Sequence, residues 1–391
     1  MLIVDVVIVV ILVIALVAGV QRGLLASLGT IVGLILGGVA AFWLLPLVSA
    51  WLPSPVWRGA AVLGVGVGLL LLGATVGSVV GAALRKGVDR TPLKGFERFL
   101  GGVASVVVAA LAIALVAPTI AIAGMPAVST AIASSRILQG IDALIPPPID
   151  ATIAQLRASV MGDGLPRLRA LLGPDAGVTA SPPIAMDDPQ LEKAAASVAR
   201  ISGVAYACGT GMTGSGFVVA KDRLITNAHV VAGVETPIVE LPGRAAREGR
   251  IVYFDPVEDL AVISVDGLDA PPIDLSPVLR AGAAAAVEGY PNGGPFTAVP
   301  ATVLSVGTVP VPDVYDQSAA PREIYALDAA VRPGNSGGPL LASDGRVAGL
   351  VFARGVDDES RGYAMTTSEL APVIAGAEDL RSAVAPGHCT R

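Results

Sequence analysis

The stretch Gly334-Asn335-Ser336-Gly337-Gly338-Pro339 decides the reading of the C-terminal half of this chain. A serine set among glycines suits a turn whose backbone N–H groups converge on one point, since glycine turns where other residues cannot. Two upstream phrases supply partners for such a serine. Thr226-Asn227-Ala228-His229-Val230-Val231 follows a strand pattern, and in Asp259-Leu260-Ala261-Val262-Ile263 an aspartate opens one. His229, Asp259 and Ser336 are 30 and 77 residues apart. From about Ile201 the chain is a series of short β-rich runs between Gly, Pro and Asp turns. They include Gly216–Ala220, Arg223–Thr226, Arg250–Phe254, Leu260–Val265, Ala301–Val306, Glu323–Leu327, Arg346–Phe352 and Gly362–Thr366. Some 190 residues of this kind predict a double β-barrel.

The order His, Asp, Ser on a β background resembles that of chymotrypsin-fold and HtrA-type serine proteases, over residues 196–375. The resemblance implies an acyl-enzyme mechanism. A serine hydroxyl needs a neighbouring base to take its proton as it attacks. His229 is that base, and Asp259 fixes the imidazole tautomer and stabilises the imidazolium. The Gly334 and Ser336 amides form the oxyanion hole, where one donor is worth about 3–4 kcal/mol of barrier. A histidine beside a strand is more often structural, but His229 stands in the motif, and the other histidine, His388, reads as a solvated tail residue. Asp255 and Glu258 lie close to Asp259, and the Asp-Leu-Ala-Val-Ile phrase favours Asp259. On the same resemblance Ala330, six residues before the nucleophile, floors the specificity pocket, and Val351-Phe352-Ala353 forms a wall. No acidic residue occupies that floor, which disfavours a Lys or Arg preference and points to a small or medium apolar P1 residue.

Outward from these motifs the chain changes solvent. Of 391 residues, 53% are hydrophobic, and mean hydropathy is +0.71. Residues 1–180 hold 11 Lys and Arg against 7 Asp and Glu, and residues 181–391 hold 15 against 25. An acidic soluble half argues against nucleic-acid binding, which needs clustered positive charge. Four stretches, Leu2–Val20, Leu24–Val48, Gly59–Leu84 and Phe99–Ala123, reach the roughly 20 helical residues that cross a bilayer. Asp5 is their only charged residue. The first has no basic n-region and a second follows at once, unlike a cleaved signal peptide. Arg22 lies between the first two spans, and Arg85, Lys86, Arg90, Lys94 and Arg98 lie between the last two. The positive-inside rule puts both basic loops in the cytoplasm and both termini outside. The spans lack mid-membrane ionisable groups of the kind transporters use. Their glycines recur instead at helix-packing spacing, Gly33/Gly37 and Gly73/Gly77/Gly81. Asp5 and the Gln21-Arg22-Gly23 turn resemble the colicin V production (CvpA-like) membrane domain.

Between the halves, Ile149, Ile153, Leu156 and Val160 share one face of an expected amphipathic helix, and Gly173–Asp188 reads as a flexible tether. Cys208 and Cys389 show no metal-ligand spacing. As residues they are either two buried thiols or a disulfide, and an exported domain favours the disulfide. Beyond Ser336 there are 55 residues, too few for the final strands plus a PDZ domain, a departure from the HtrA pattern. Four spans, a connector, a protease domain without PDZ and a bracketing cysteine pair resemble the actinobacterial membrane-anchored acid-resistance periplasmic serine proteases, the MarP-like family. That resemblance implies a Cys208–Cys389 disulfide, which would close a loop of roughly 180 residues and stabilise by up to ~5 kcal/mol. It also implies a role in acid and oxidative stress, through processing of cell-wall enzymes.

The expectation is therefore a four-helix transmembrane bundle followed by an all-β chymotrypsin-like double β-barrel. Residues 1–124 form the anchor, 125–195 the connector and 196–391 the protease domain. The expected activity is serine endopeptidase, without cofactor or metal, on periplasmic or cell-envelope proteins, cell-wall hydrolases among them. Oligomeric state stays open. The rival readings are a catalytically idle protease fold serving as a scaffold, and a transport protein with a protease-like sensor.

Overall fold

The computed structural model describes residues 2–51, 55–88, 94–122, 131–132, 134–146, 149, 165–168, 180–205, 210–356 and 358–390. Two compact units divide the chain, residues 2–114 and residues 115–391.

The first unit is helical: α1 (Leu2–Arg22), α2 (Leu24–Trp51), α3 (Pro55–Val88) and most of α4 (Lys94–Ile122). Large apolar side chains such as Val10 and Ile14 of α1, and Val79 and Leu84 of α3, lie exposed. Water would not tolerate such a surface; lipid would. Among the described residues, Ile3–Arg22 and Lys94–Ala114 are long and apolar enough to cross a membrane, with mean hydropathy 3.3 and 1.8. The apolar stretches in α2 and α3, Leu24–Ala40 and Leu71–Leu84, are shorter. Among the described residues, α1 and α4 therefore meet that requirement. The expected glycine stripe does pack α2 on α3. A Cβ on Gly33 would sit 2.0 Å from the Gly73 carbonyl oxygen, and one on Gly77 2.0 Å from that of Gly29. The backbones approach because no side chain separates them.

In the second unit, beyond the end of α4, comes α5 (Arg136–Leu144), capped by the Ser135 hydroxyl. The expected Ile149–Val160 helix lies outside the described residues except for Ile149. A two-residue strand follows, β1 (Arg167–Leu168), which the sequence did not suggest. Of the expected tether, residues 173–179 lie outside the described residues and 180–187 carry no helix or strand. Asp188 then caps α6 (Pro189–Ala195), with proline at the first turn where its missing N–H costs nothing.

One seven-stranded sheet holds β2 (Val198–Ala205), β3 (Thr210–Ala220), β4 (Arg223–Thr226), β5 (Ile238–Glu240), β6 (Arg247–Glu248), β7 (Arg250–Asp255) and β8 (Leu260–Ser264). Its order is β6-β5-β2-β3-β4-β8-β7. The second joins β1 to β9 (Ala284–Gly289), β10 (Thr297–Pro312), β11 (Ala319–Asp328), β12 (Pro339–Leu341), β13 (Val347–Gly355) and β14 (Arg361–Thr366). Its order is β1-β13-β12-β9-β10-β11-β14, and β13 also pairs with β14, which closes it. The eight strands expected from the sequence all lie within or overlap observed ones. α7 (Ala228–Val231) follows β4, and α8 (Thr367–Ala375) packs after β14.

Burial explains the arrangement. Ile201, Leu224, Val239 and Ile263 fill the first sheet's interior, and Val287, Val303, Tyr325 and Leu340 fill the second's. A third cluster joins Phe217, Ile225 and Val262 of the first sheet to Ile324, Leu350 and Phe352 of the second. The two sheets thus share a core, a chymotrypsin-like arrangement, and the functional motifs end at that seam.

Candidate active site

His229 stands on the single turn of α7, which Asn227 starts in extended conformation directly after β4. Its imidazole is almost wholly buried, as is Asp259, each 3% exposed. Nδ1 lies 2.8 Å from Asp259 Oδ2 and 3.0 Å from Oδ1, and the His229 N–H donates to Oδ1 at 3.0 Å. Asn227 Nδ2 donates to the Asp259 carbonyl at 2.9 Å. The carboxylate therefore fixes both the ring and the backbone that carries it. Asp259 adopts φ +54°, a left-handed conformation that aspartate and asparagine tolerate better than most side chains. Asp255, the near alternative, closes the preceding turn instead, accepting from the Val257 and Glu258 amides at 2.9 and 3.0 Å. Burial pushes the third candidate, Glu258, upward in pKa.

Ser336 sits in the loop between β11 and β12, held from both sheets. Within the loop, Asn335 N donates to Arg332 O at 3.0 Å and Arg332 N to Asn335 Oδ1 at 3.0 Å. The Gly337 amide donates to Val351 O at 2.8 Å, and Val351 N to Gly338 O at 2.9 Å, which ties the loop to β13. Gly337 has φ +81°, and a Cβ there would lie 2.1 Å from Ser215 O, so only glycine fits. Among the described residues the Gly334 and Ser336 amides donate no hydrogen bond, while those of Asn335, Gly337 and Gly338 all do. The free pair can receive an oxyanion.

Ser215, on β3 of the first sheet, is the residue the sequence reading missed. Its hydroxyl donates to Gly334 O at 2.7 Å and accepts from Tyr290 N at 2.9 Å. Its own amide donates to Ser336 O at 2.7 Å, and Thr226 Oγ1 donates to its carbonyl at 2.7 Å. Gly214 beside it is the spacer between α7 and the Ser336 loop. A Cβ there would lie 2.6 Å from Val230 Cγ1 and 3.1 Å from Ser336 O. A second brace runs from Arg200, which pairs with Glu240 at 2.7 Å and donates to Gly293 O at 3.0 Å. Asn292 in that same turn donates to Pro333 O at 2.5 Å. The Glu240 carboxylate raises the Arg200 pKa, so this brace keeps its charge.

His229 Nε2 and Ser336 Oγ are both buried. Among the described residues neither His229 Nε2 nor Ser336 Oγ has a hydrogen-bond partner. Behind the His–Asp pair lies a cavity of about 200 Å³ lined by His229, Asp259, Phe352 and Arg322. Arg322 is fully buried, donates to Pro312 O at 2.5 Å, and lies 5.7 Å from the Phe352 ring centroid. Burial lowers its pKa, and Asp259 is the carboxylate that most opposes this. No residue pattern flagged Arg322.

The four residues expected to shape a specificity pocket lie in different surroundings. Ala330 lines a second one, of about 250 Å³, with Pro291, Asn292, Arg332 and Asn335. Phe352 lines the first, and Val351 and Ala353 are fully buried in the core. The tail is more engaged than expected, since the His388 ring stacks on Tyr315 with centroids 3.9 Å apart. Cys389 is disulfide-bonded, and Cys208 lies outside the described residues. Among the described residues no group of three His, Cys, Asp or Glu could hold a metal.

Comparison with known proteins follows the same division. The colicin V production protein family matches residues 4–146, and the trypsin-like peptidase domain family matches residues 214–350. Serine protease Rv3671c of Mycobacterium tuberculosis H37Rv is 31% identical over 360 residues, 91% of this chain and 90% of its own length. Its counterpart MT3772 in strain CDC 1551 matches to the same extent. The crystal structure of the Rv3671c protease in its active form is 32% identical, with a TM-score of 0.51. That match covers 59% of this chain and 96% of the crystallised one.

Proposed function

Because the chain belongs to the family of Rv3671c, the MarP-like serine proteases, we propose that it cleaves cell-envelope proteins through an acyl-enzyme on Ser336. It is a serine endopeptidase by that membership; the residue roles are our reading. His229 takes the Ser336 proton as the hydroxyl attacks the scissile carbonyl, then returns it to the leaving amine. Asp259 holds Nδ1–H toward itself and so leaves Nε2 free to act as the base. The oxyanion that forms is received by the Gly334 and Ser336 amides. The buried His229–Asp259 pair, bonded at 2.8 Å beside a serine loop with two unspent amides, carries this assignment. A fluorophosphonate probe should label wild-type protein at Ser336 and leave Ser336→Ala and His229→Ala unlabelled. Absence of wild-type labelling would favour the idle scaffold.

The proposal extends to topology. Residues 1–124 cross the membrane four times, with both termini and the protease domain, residues 196–391, outside the cytoplasm. The apolar surfaces of α1 to α4 support this, as do Arg85, Lys86, Arg90, Lys94 and Arg98 around the junction of α3 and α4. Alkaline phosphatase fused after residue 195 should be active in cells and after residue 90 inactive. Cys389 pairs with Cys208, the other cysteine of the sequence. The family likeness supports substrates among cell-wall hydrolases and a role in acid and oxidative stress. N-terminal proteomics of envelope proteins from wild-type and Ser336→Ala cells tests it.

A further inference from the structure

The edge of the second sheet beside this site is already taken, by the chain's own connector. β1 lies parallel to β13, with Arg167 opposite Arg354 and Leu168 opposite Gly355. Arg354 N donates to Pro166 O at 3.1 Å, and Val356 N donates to Leu168 O at 3.0 Å. Leu165 and Leu168 are 4% and 8% exposed, so the segment is anchored by side chains as well as backbone. Residues 165–168 also line the cavity that holds His229, Asp259 and Phe352.

Direction decides what this segment does. β13 leaves the nucleophile loop at Val351, bonded to Gly337 and Gly338, and runs past Phe352 to Gly355. A substrate stretch on the N-terminal side of its scissile bond must finish at Ser336. If it pairs with this edge, it therefore runs antiparallel to β13. β1 runs the other way, so it occupies the amides of Arg354 and Val356 while its chain leads away from Ser336. It fills the place and offers no bond to cut.

We propose that residues 165–168 are an internal strand that blocks the substrate's position on β13, and that cleavage requires its displacement. This rests on the reading of Ser336 as nucleophile. An extended partner binds a sheet edge through main-chain bonds. A tethered one competes at an effective concentration in the millimolar range, so most of the enzyme is closed to weak substrates. Parallel pairing is slightly weaker per residue than antiparallel, which lets a well-fitting substrate win.

The test uses the full chain in detergent and a fluorogenic peptide substrate. Leu168→Asp should raise kcat/KM at least about tenfold through a lower KM at unchanged kcat, because the competent fraction rises. Leu168→Met, which keeps the strand, should match wild type. Joining Arg167→Cys to Arg354→Cys with a short bismaleimide should depress turnover at least about tenfold relative to either single variant. This second route holds even where Leu168→Asp fails to fold. Unchanged or reduced activity in folded Leu168→Asp, or full turnover in the cross-linked chain, overturns the proposal: the strand then merely completes the sheet. Fluorophosphonate labelling separates the two levels. Where Ser336 reacts in every variant, an unchanged peptide kcat/KM sinks the blocking strand alone, and Ser336 inert in every variant sinks it together with the reading beneath it.

Discussion

Glu288 is a carboxyl that the fold keeps dry beside the nucleophile loop, and replacing it by glutamine should change how stability depends on pH. It lies on β9, 1% exposed, and its Oε2 has no hydrogen-bond partner among the described residues. Burial pushes its pKa from 4.5 up to about 8. β9 pairs with β12 just after Ser336, Val287 opposite Leu340, and a Cβ on Gly338 would lie 2.4 Å from the Glu288 carbonyl oxygen. Ionisation therefore places an uncompensated charge against the strand that supports the loop. The unfolded chain gives up this proton near pH 4.5, and the folded chain holds it to about 8. Stability from this group is complete below 4.5 and is lost as pH rises through 8. The gap between the two values corresponds to about 5 kcal/mol, of which about 3 kcal/mol is gone by pH 7. For a domain of this size that is a fall in Tm of roughly 6–12 °C between pH 4.5 and 7.

Glu288→Gln keeps the shape and removes the titration. Its buried amide shifts the whole melting curve by a constant, but it cannot bend the pH dependence. Melting the full chain in detergent by near-ultraviolet circular dichroism, at intervals from pH 4.5 to 8.5, compares the two slopes. Wild type should lose stability relative to the variant as pH rises, with the difference growing most between pH 5 and 8. Parallel curves would refute the reasoning, because they would mean that Glu288 finds water or a partner and is not held as an acid by burial.

Three further outcomes follow from the geometry. Asp259→Asn should fold, since asparagine accepts φ +54°, yet lower kcat by about 10⁴ by favouring the wrong imidazole tautomer. Stopped-flow or steady-state kinetics checks the rate, and a loss below tenfold would deny Asp259 its role. Ser215→Ala strips Tyr290 N of its acceptor and Gly334 O of its donor, at about 1–3 kcal/mol for each buried group left unpaired. We expect kcat to fall by ten- to a hundredfold with KM little changed, and unaltered kcat would show that the loop holds itself. Gly77→Leu drives a side chain into the Gly29 carbonyl and should separate α2 from α3, read as lost cross-linking between cysteines introduced on the two helices.

Legibility in the sequence followed the range of the interaction. The strands were readable because alternation and turn residues are local, and Leu260–Ser264 shows a fully buried run as a strand should at a shared core. His229 and Asp259 were readable because each opens or follows such a strand in a short phrase. Ser215 was not. Its partner Gly334 is 119 residues away, and nothing local distinguishes a serine between two glycines from an ordinary strand position. Arg322 was hidden for the opposite reason: a charged residue in a β run reads as solvent-facing, yet this one is fully buried against Phe352. β1 has two residues and therefore no period to detect. The helices were legible as apolar runs, whereas α2 and α3 fall short of span length in their described apolar stretches.

These long-range contacts have a common geometry: each fastens one end of the catalytic half to the seam where the reaction would occur. The connector lies along β13 through the Pro166 and Leu168 carbonyls. The C-terminal tail lies along the first sheet and its neighbours, with Val384 N on Ile251 O at 2.9 Å and Gly233 N on Pro386 O at 3.0 Å. It then reaches the β10–β11 turn, where the His388 N–H donates to the Tyr315 hydroxyl at 3.2 Å. Gly233 lies two residues after α7, and a Cβ there would lie 3.0 Å from Cys389 Sγ. A tail held by the proposed Cys208–Cys389 bond would thus restrain the backbone that carries His229, while the connector governs access along β13. Two restraints on two different catalytic parts are separable: loss of the tail should lower kcat, and loss of the connector strand should lower KM. A single variant that moved both constants together at either end would contradict that division.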